Sequence, residues 1–232
     1  MKFRKYLTVV LAALLLCAVL PGCGKTEAPK PAVSWRVDST GKYLYDDTVQ
    51  QVITVQAGTA SEARITLYEK SKLNGKNVWT ETLRCDGFIG QSGLGKTREG
   101  DMKTPVGEFG IVTAFGIKEN PGTSLPYIDV TEYTYACCDA ECYNQIVDIR
   151  EHPHENPEDE HMIDYSPEYN YGFMLNYNPE CEVGKGNSIF FHCRGANPYT
   201  AGCISLAEED LVQILRAVDA NARIVIDYLP MS

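Results

Sequence analysis

Basic residues are in short supply. The 232-residue chain has 21 Lys and Arg against 31 Asp and Glu, a formal charge of −10. Nucleic-acid binding needs clustered cations to neutralise phosphates, so that class is excluded. The chain also has no internal repeat and, after residue 35, no break in composition. Repeat arrays are thereby excluded, and one domain is the simplest organisation. Disorder is excluded too, because 44% apolar and 22% charged residues are ordinary for a globular protein of a length that buries a sizeable core. What is plentiful, 14 Tyr with 19 Gly and 12 Pro, points to strands and turns rather than a helical bundle.

Acidic residues are missing altogether from positions 1–22, where Lys2, Arg4 and Lys5 precede an apolar run from Tyr6 to Leu20. That pattern predicts a secretory signal, too short and wrongly flanked for a typical spanning helix. It ends Leu20-Pro21-Gly22-Cys23, which resembles a bacterial lipobox, with Cys23 as the lipid-bearing residue. The expected organisation is a signal peptide over 1–22, a lipidated Cys23 with a Pro-containing tether over 23–34, and one domain over 35–232. A plain secreted protein or an uncleaved anchor is the alternative.

Nine cysteines are present: Cys17 in the signal, Cys23, and seven in the body. Seven is odd, so an extracytoplasmic disulfide framework leaves one thiol over, and parity does not say which. The pairing of Cys85, Cys137, Cys138, Cys142, Cys181 and Cys193 stays open. Cys137-Cys138 and Cys142 lack a second pair at zinc spacing, which favours disulfides or idle thiols over a metal cluster.

Strands are expected at 43–45, 51–56, 63–68, 78–85, 107–116, 171–177, 188–192 and 223–228, with a turn at Asn74-Gly75 and a loop over 121–126. The stretch 151–164 reads as too polar to be buried. Ser205-x-x-Glu208 has the form of a capping box, followed by Leu211, Leu215 and Val218 on one helical face. Gly90 to Thr97 satisfies the string of a phosphate-binding loop, but Arg98-Glu99-Gly100-Asp101 and Thr104-Pro105 follow where that loop requires a helix. The match is read as accidental.

The segment that carries chemistry is Ile189-Phe190-Phe191-His192, with Cys203 eleven residues on in Thr200-Ala201-Gly202-Cys203-Ile204. A thiolate is the nucleophilic form of cysteine, and a neighbouring imidazolium lowers the thiol pKa. Backbone N–H groups of Ala201, Gly202 and Cys203 suit a developing oxyanion. A buried histidine and a disulfide-bonded cysteine, Cys193–Cys203 included, is the competing reading.

These residues resemble the catalytic segment of the YkuD-type L,D-transpeptidases: a histidine, a spacer, then Ser/Thr-His-Gly-Cys, an aliphatic residue and usually Arg. His192, Thr200, Gly202, Cys203 and Ile204 match, while Ala201 and Ser205 stand in place of the family's histidine and arginine. Gly95 to Phe109, with Lys103-Thr104-Pro105-Val106-Gly107, is similar to the family's upstream Thr-Pro-x-Gly-x-Phe region. The resemblance implies a mainly β, single YkuD-like β-sandwich domain with a mixed sheet and a few short helices, one of them following Cys203. It implies attack by Cys203 on a peptidoglycan stem tetrapeptide, a thioester with release of terminal D-alanine, and a 3→3 cross-link when His192 activates an acceptor amine. Such an enzyme is acylated by carbapenems, needs no metal or cofactor, and acts outside the cell membrane facing the wall, here lipid-anchored and monomeric. The alternatives are an L,D-carboxypeptidase with the same site and a silent wall-binding lipoprotein.

Substrate contacts are expected from Arg98, Tyr143, His161, Arg194 and Thr200, with Arg98 or Arg194 replacing the missing arginine. Tyr143, Tyr165, Tyr169, Tyr171 and Tyr177 read more readily as strand packing than as a cleft lining. His152, His154 and His161 lie among carboxylates and read as part of a solvated loop rather than a metal site.

Overall fold

The computed structural model describes residues 37–229, so the expected signal, Cys23 and the tether lie outside the described residues. Thirteen strands form among them: β1 (Gln51–Ala57), β2 (Glu62–Leu73), β3 (Lys76–Phe88), β4 (Gly107–Phe109), β5 (Ile111–Gly116), β6 (Tyr127–Asp129), β7 (Thr134–Cys137), β8 (Gln145–Asp148), β9 (Glu160–His161), β10 (Gly172–Leu175), β11 (Phe190–Cys193), β12 (Ile204–Leu206) and β13 (Arg223–Tyr228). Two α-helices accompany them, α1 (Val37–Leu44) and α2 (Glu208–Ala217). Ten strands make one mixed sheet in the order β4-β13-β1-β2-β3-β12-β11-β10-β5-β6, and β8-β7-β9 make a small second sheet.

Gly110 decides the shape of the large sheet. It is the single residue between β4, at one edge, and β5, next to the other edge. Laid flat, those strands would stand roughly 38 Å apart, at ~4.8 Å per strand spacing. Consecutive Cα atoms are about 3.8 Å apart, so the sheet must curl until its ends meet. The expected 107–116 strand is therefore two short strands, split where the chain passes from one end of the sheet to the other.

Curling encloses the main core, in which Ile53, Val55, Ile65, Phe173, Phe191 and Ile204 meet Leu211, Ile214 and Leu215 of α2. Apolar alternation in β1 serves both faces: Val52 points instead to Tyr43, Val49, Tyr68, Trp79 and Val225. Residues 43–44 are accordingly helix, not strand. Tyr43 lies across the outer face of the sheet and donates its hydroxyl to Glu108 Oε2 at 2.6 Å.

The capping-box reading also gives way. Ser205 is buried in β12, paired with His192 on one side and Phe88 on the other. Helix α2 starts at Glu208 after Ala207, with no side-chain cap. Three carboxylates in its first turn, Glu208, Glu209 and Asp210, complement the positive end of the helix dipole instead. Within 151–164 the polar run ends in β9 and a 3-10 turn whose Met162 is fully buried, so that segment is anchored at its C-terminal end.

Candidate active site

β11 is fully buried, and alternation along it divides its side chains between two environments. Phe191 and Cys193 enter the main core, while Phe190 joins Phe115, Met162, Tyr169 and Met174 in a second cluster against which Cys203 packs. His192 shares the Phe190 side, its ring edge-on to Tyr169 at 5.8 Å. Cys193 is thus a buried thiol, and neither Cys193 nor Cys203 is in a disulfide.

His192 and Cys203 open into the same cleft of about 300 Å³, lined also by Glu160, Tyr165, Glu168 and Tyr169 on one side and Thr200, Ala201 and Ser205 on the other. His192 Nδ1 lies 2.8 Å from the Cys193 carbonyl, which can only accept, so Nδ1 carries the proton and Nε2 of the neutral ring keeps its lone pair. The Cys203 thiol donates to the Ser188 carbonyl at 3.2 Å and accepts the Phe190 N–H at 3.4 Å. Ser188 reaches that orientation through a left-handed backbone (φ 52°), its own N–H held by Asn144 Oδ1 at 2.9 Å.

Electrostatics differ from the imidazolium–thiolate expectation. Burial pushes the Cys203 thiol up to about 12, with the Phe190 N–H and Lys96 opposing and Glu160 reinforcing. Burial also lowers His192, against the Cys193 carbonyl and Glu168. Separating charge in this wall of apolar groups costs more than the free protein recovers, so the pair rests as a neutral thiol and a neutral imidazole.

The cysteine loop is held by hydroxyls. Thr200 Oγ1 donates to the Cys203 carbonyl at 2.6 Å and receives the Gly202 N–H at 3.1 Å. Thr104, fully buried, donates to the Gly202 carbonyl at 2.7 Å and receives the Gly90 N–H at 2.9 Å. Gly202 has φ 153°, and a β-carbon there would lie 2.9 Å from the Lys103 carbonyl oxygen. No side chain but hydrogen fits. The Gly90–Thr97 string turns without a helix, bridging to Thr200 through Gly90 and to Thr104 through Leu94.

Charge beside the loop comes from Lys96, whose side chain is 5% exposed and bonds Asp101 Oδ1 at 3.1 Å. Burial raises Asp101, but the N–H groups of Thr97, Arg98 and Lys103 and the Lys96 ammonium outweigh it and bring the carboxyl down to about 2. Glu160 is raised by burial, with its bond from the Tyr169 hydroxyl opposing.

Of the five expected substrate contacts, Thr200 lines the cleft and the other four lie outside that lining. Arg98 bonds the Glu99 carbonyl. Tyr143 is buried, bonded to Glu99 Oε2 and to the N–H groups of Gly184 and Gly186. His161 stacks on Tyr135 and bonds Asp164. Arg194 lies over Phe88 and donates to the Asp86 carbonyl. Sequence reasoning missed Glu168 and Ser188 and quoted Thr104 without giving it a role. Only Thr104 had a signal, its place in Thr-Pro-x-Gly.

The family model for the YkuD L,D-transpeptidase catalytic domain matches residues 51–226. A comparison with curated proteins finds no match. Among solved structures, the chain is similar to the Ldtfm–avibactam carbamoyl enzyme at 12% identity and a TM-score of 0.35, over 78% of this chain and 49% of that one, so it spans about half that chain's length.

Proposed function

We propose that this chain, which belongs to the YkuD family of L,D-transpeptidase catalytic domains, is a cysteine-dependent L,D-transpeptidase acting on peptidoglycan stem peptides. The observation that carries the reading is the thiol of Cys203 and the imidazole of His192 opening into one cleft within the family's matched segment. Proton and acyl transfer follow from the resting state. As the donor's carbonyl displaces the thiol from Ser188, the Cys203 proton passes to His192 Nε2 while sulfur bonds to the carbonyl carbon of the third stem residue. The Gly202 N–H already has an acceptor in Thr200 Oγ1, so the developing oxyanion is assigned first to the Cys203 N–H, then to those of Ala201 and Gly202. Collapse expels D-alanine, which takes the proton from His192, and leaves a thioester.

Glu160 and Glu168 are the acidic side chains of the cleft lining, and no Lys or Arg is among the residues that line it. Such a lining attracts an ammonium and so favours an acceptor amine over water, which is the reason to place 3→3 cross-linking ahead of carboxypeptidase action. The domain is further proposed to work as a monomer, held at the outer face of the cell membrane by lipid on Cys23.

The test incubates the protein and Cys203→Ala with a disaccharide-tetrapeptide and reads products by mass spectrometry. D-alanine release with a cross-linked dimer, both lost in the variant, is expected. Release without dimer would establish the carboxypeptidase instead. No turnover and no carbapenem adduct from a folded, reduced protein would leave a silent wall-binding module.

A further inference from the structure

Cys137 ends β7 and Cys142 lies in the turn before β8, and a disulfide joins them. Around those sulfurs stands a group that a disulfide does not need. His154 Nε2 lies 3.5 Å from Cys137 Sγ and 3.7 Å from Cys142 Sγ, and Asp159 Oδ2 is 2.6 Å from the same nitrogen. The two sulfurs and Nε2 all fall within 4.8 Å of one another. Disulfide sulfur is a weak acceptor, so its bonding explains neither the imidazole nor the carboxylate.

Each of the outer donors is already aimed by the backbone. His154 Nδ1 lies 2.6 Å from the His152 carbonyl, which turns Nε2 towards Asp159 and the two sulfurs. Asp159 Oδ1 accepts the Cys138 N–H at 2.7 Å, which leaves Oδ2. Backbone bonds of this kind are what fix tautomer and direction in metal ligands. Bond lengths of ~2.3 Å to sulfur and ~2.0 Å to nitrogen in a tetrahedron put those two atoms about 3.5 Å apart, close to what is found here. Nitrogen and carboxylate oxygen would stand about 3.3 Å apart, a short outward step for Asp159. Both cysteines are buried, Asp159 is 4% exposed and His154 15%, so the site is closed except along the imidazole edge.

We propose that Cys137, Cys142, His154 and Asp159 form a structural site for one zinc-type cation, occupied when the Cys137–Cys142 disulfide is reduced. Two soft sulfurs, one imidazole and one carboxylate suit a tetrahedral d¹⁰ ion and do not suit calcium or magnesium, which take oxygen. The two states exclude each other. A thiol or phosphine reductant supplies two electrons and two protons reach the sulfurs, cleaving the S–S bond to two thiols while the reductant is oxidised. Ion binding then releases both thiol protons and the proton held between His154 Nε2 and Asp159 Oδ2, forms two metal–sulfur bonds and replaces the His154–Asp159 hydrogen bond with bonds from each to the metal.

The site has a structural task. Ala136, beside Cys137, pairs with Glu160, beside Asp159, so two ligands flank the rung that places Glu160 in the cleft wall. An ion would keep that rung closed once the disulfide is gone.

The test uses the full-length protein with cobalt(II) as the probe. After reduction by a phosphine, one cobalt per chain is expected, with thiolate charge-transfer absorption and the intense visible bands of tetrahedral coordination. Cys203→Ala should give the same spectrum, Cys142→Ser should lose it, and His154→Ala should bind at least tenfold more weakly. The oxidised protein should take up none, a comparison that needs no variant, and zinc should raise the melting temperature of the reduced protein only. No uptake by the folded, reduced chain, an octahedral spectrum, or uptake that survives Cys142→Ser and disappears in Cys203→Ala would each overturn the proposal.

Discussion

The side of the cleft formed by residues 200–203 is fixed by the Thr104 and Thr200 hydroxyls that grip its backbone, with the buried Lys96–Asp101 pair beside it. Facing it, Glu160 and Tyr169 belong to the small sheet and an irregular segment, held by the Cys137–Cys142 disulfide, by Met162 and Tyr169 packed with Phe115 and Phe190, and by the Ile117 N–H donating to the Tyr169 carbonyl at 2.9 Å. The first side is rigid because its partners are backbone atoms of neighbouring loops. The second is held chiefly by side-chain packing and the disulfide. Under the proposed mechanism nucleophile geometry belongs to the former and substrate discrimination to the latter, and the two should respond differently to substitution.

The largest effect is expected on the rigid side. Gly202→Ala would drive a β-carbon against the Lys103 carbonyl oxygen in a backbone conformation that L-residues avoid. Displacing the reacting sulfur by about 1 Å costs on the order of 10²-fold in rate. Steady-state kinetics on folded Gly202→Ala should show that loss in kcat with KM little changed. A comparable loss in KM alone would mean that the loop does not set the nucleophile.

Next in size is Asp101→Asn, which leaves the buried Lys96 ammonium without its carboxylate. Breaking a buried pair in this way typically costs about 3 kcal/mol, or roughly 6–12 °C in melting temperature for a chain of this size. The sign with pH follows from a folded-state carboxyl held down at about 2. Its contribution is complete above the ordinary value of 3.8 and is lost as pH falls towards 2. Thermal melts of wild type should therefore fall faster than those of Asp101→Asn across that window. Parallel curves would remove Asp101 from the rigid side.

Much of the rigid side was legible in sequence because small residues announce it. Thr104-Pro105, Thr200 and Gly202 are types whose hydroxyl or missing side chain has few other uses at such spacing, and the flanking β1, β2, β3 and β13 carry β-prone runs. The facing side was legible only in pieces. His161 was expected to touch substrate, yet alternation in β9 turns it onto Tyr135. Its neighbour Glu160 enters the cleft instead. Glu168 and Ser188 left no local trace, since a carboxylate or a carbonyl gains its role only from a fold that brings it there. The 43–45 and Ser205 readings failed for the same reason. Tyr43 and Ser205 satisfy local rules for one structure and are claimed by tertiary packing for another.

The smallest effect sharpens the comparison most. Cys193 and Cys203 are both pushed by burial to about 12, one in the core and one in the cleft. In the free protein Cys203 alkylation should climb with pH past the ordinary thiol value of 9.0, without levelling below it. Cys193, 1% exposed, should label only on unfolding. Glu160 adds a negative charge that raises the Cys203 thiol further, and Lys96 opposes it. Glu160→Gln should therefore speed Cys203 alkylation several-fold at mildly alkaline pH, and Lys96→Met should slow it. Peptide mapping of the alkylated sites separates these thiols from Cys85, Cys138 and Cys181. If Glu160→Gln left the rate unchanged while Lys96→Met lowered it, the field at sulfur would come from the rigid side alone. The carboxylate wall would then act on substrate without tuning the nucleophile.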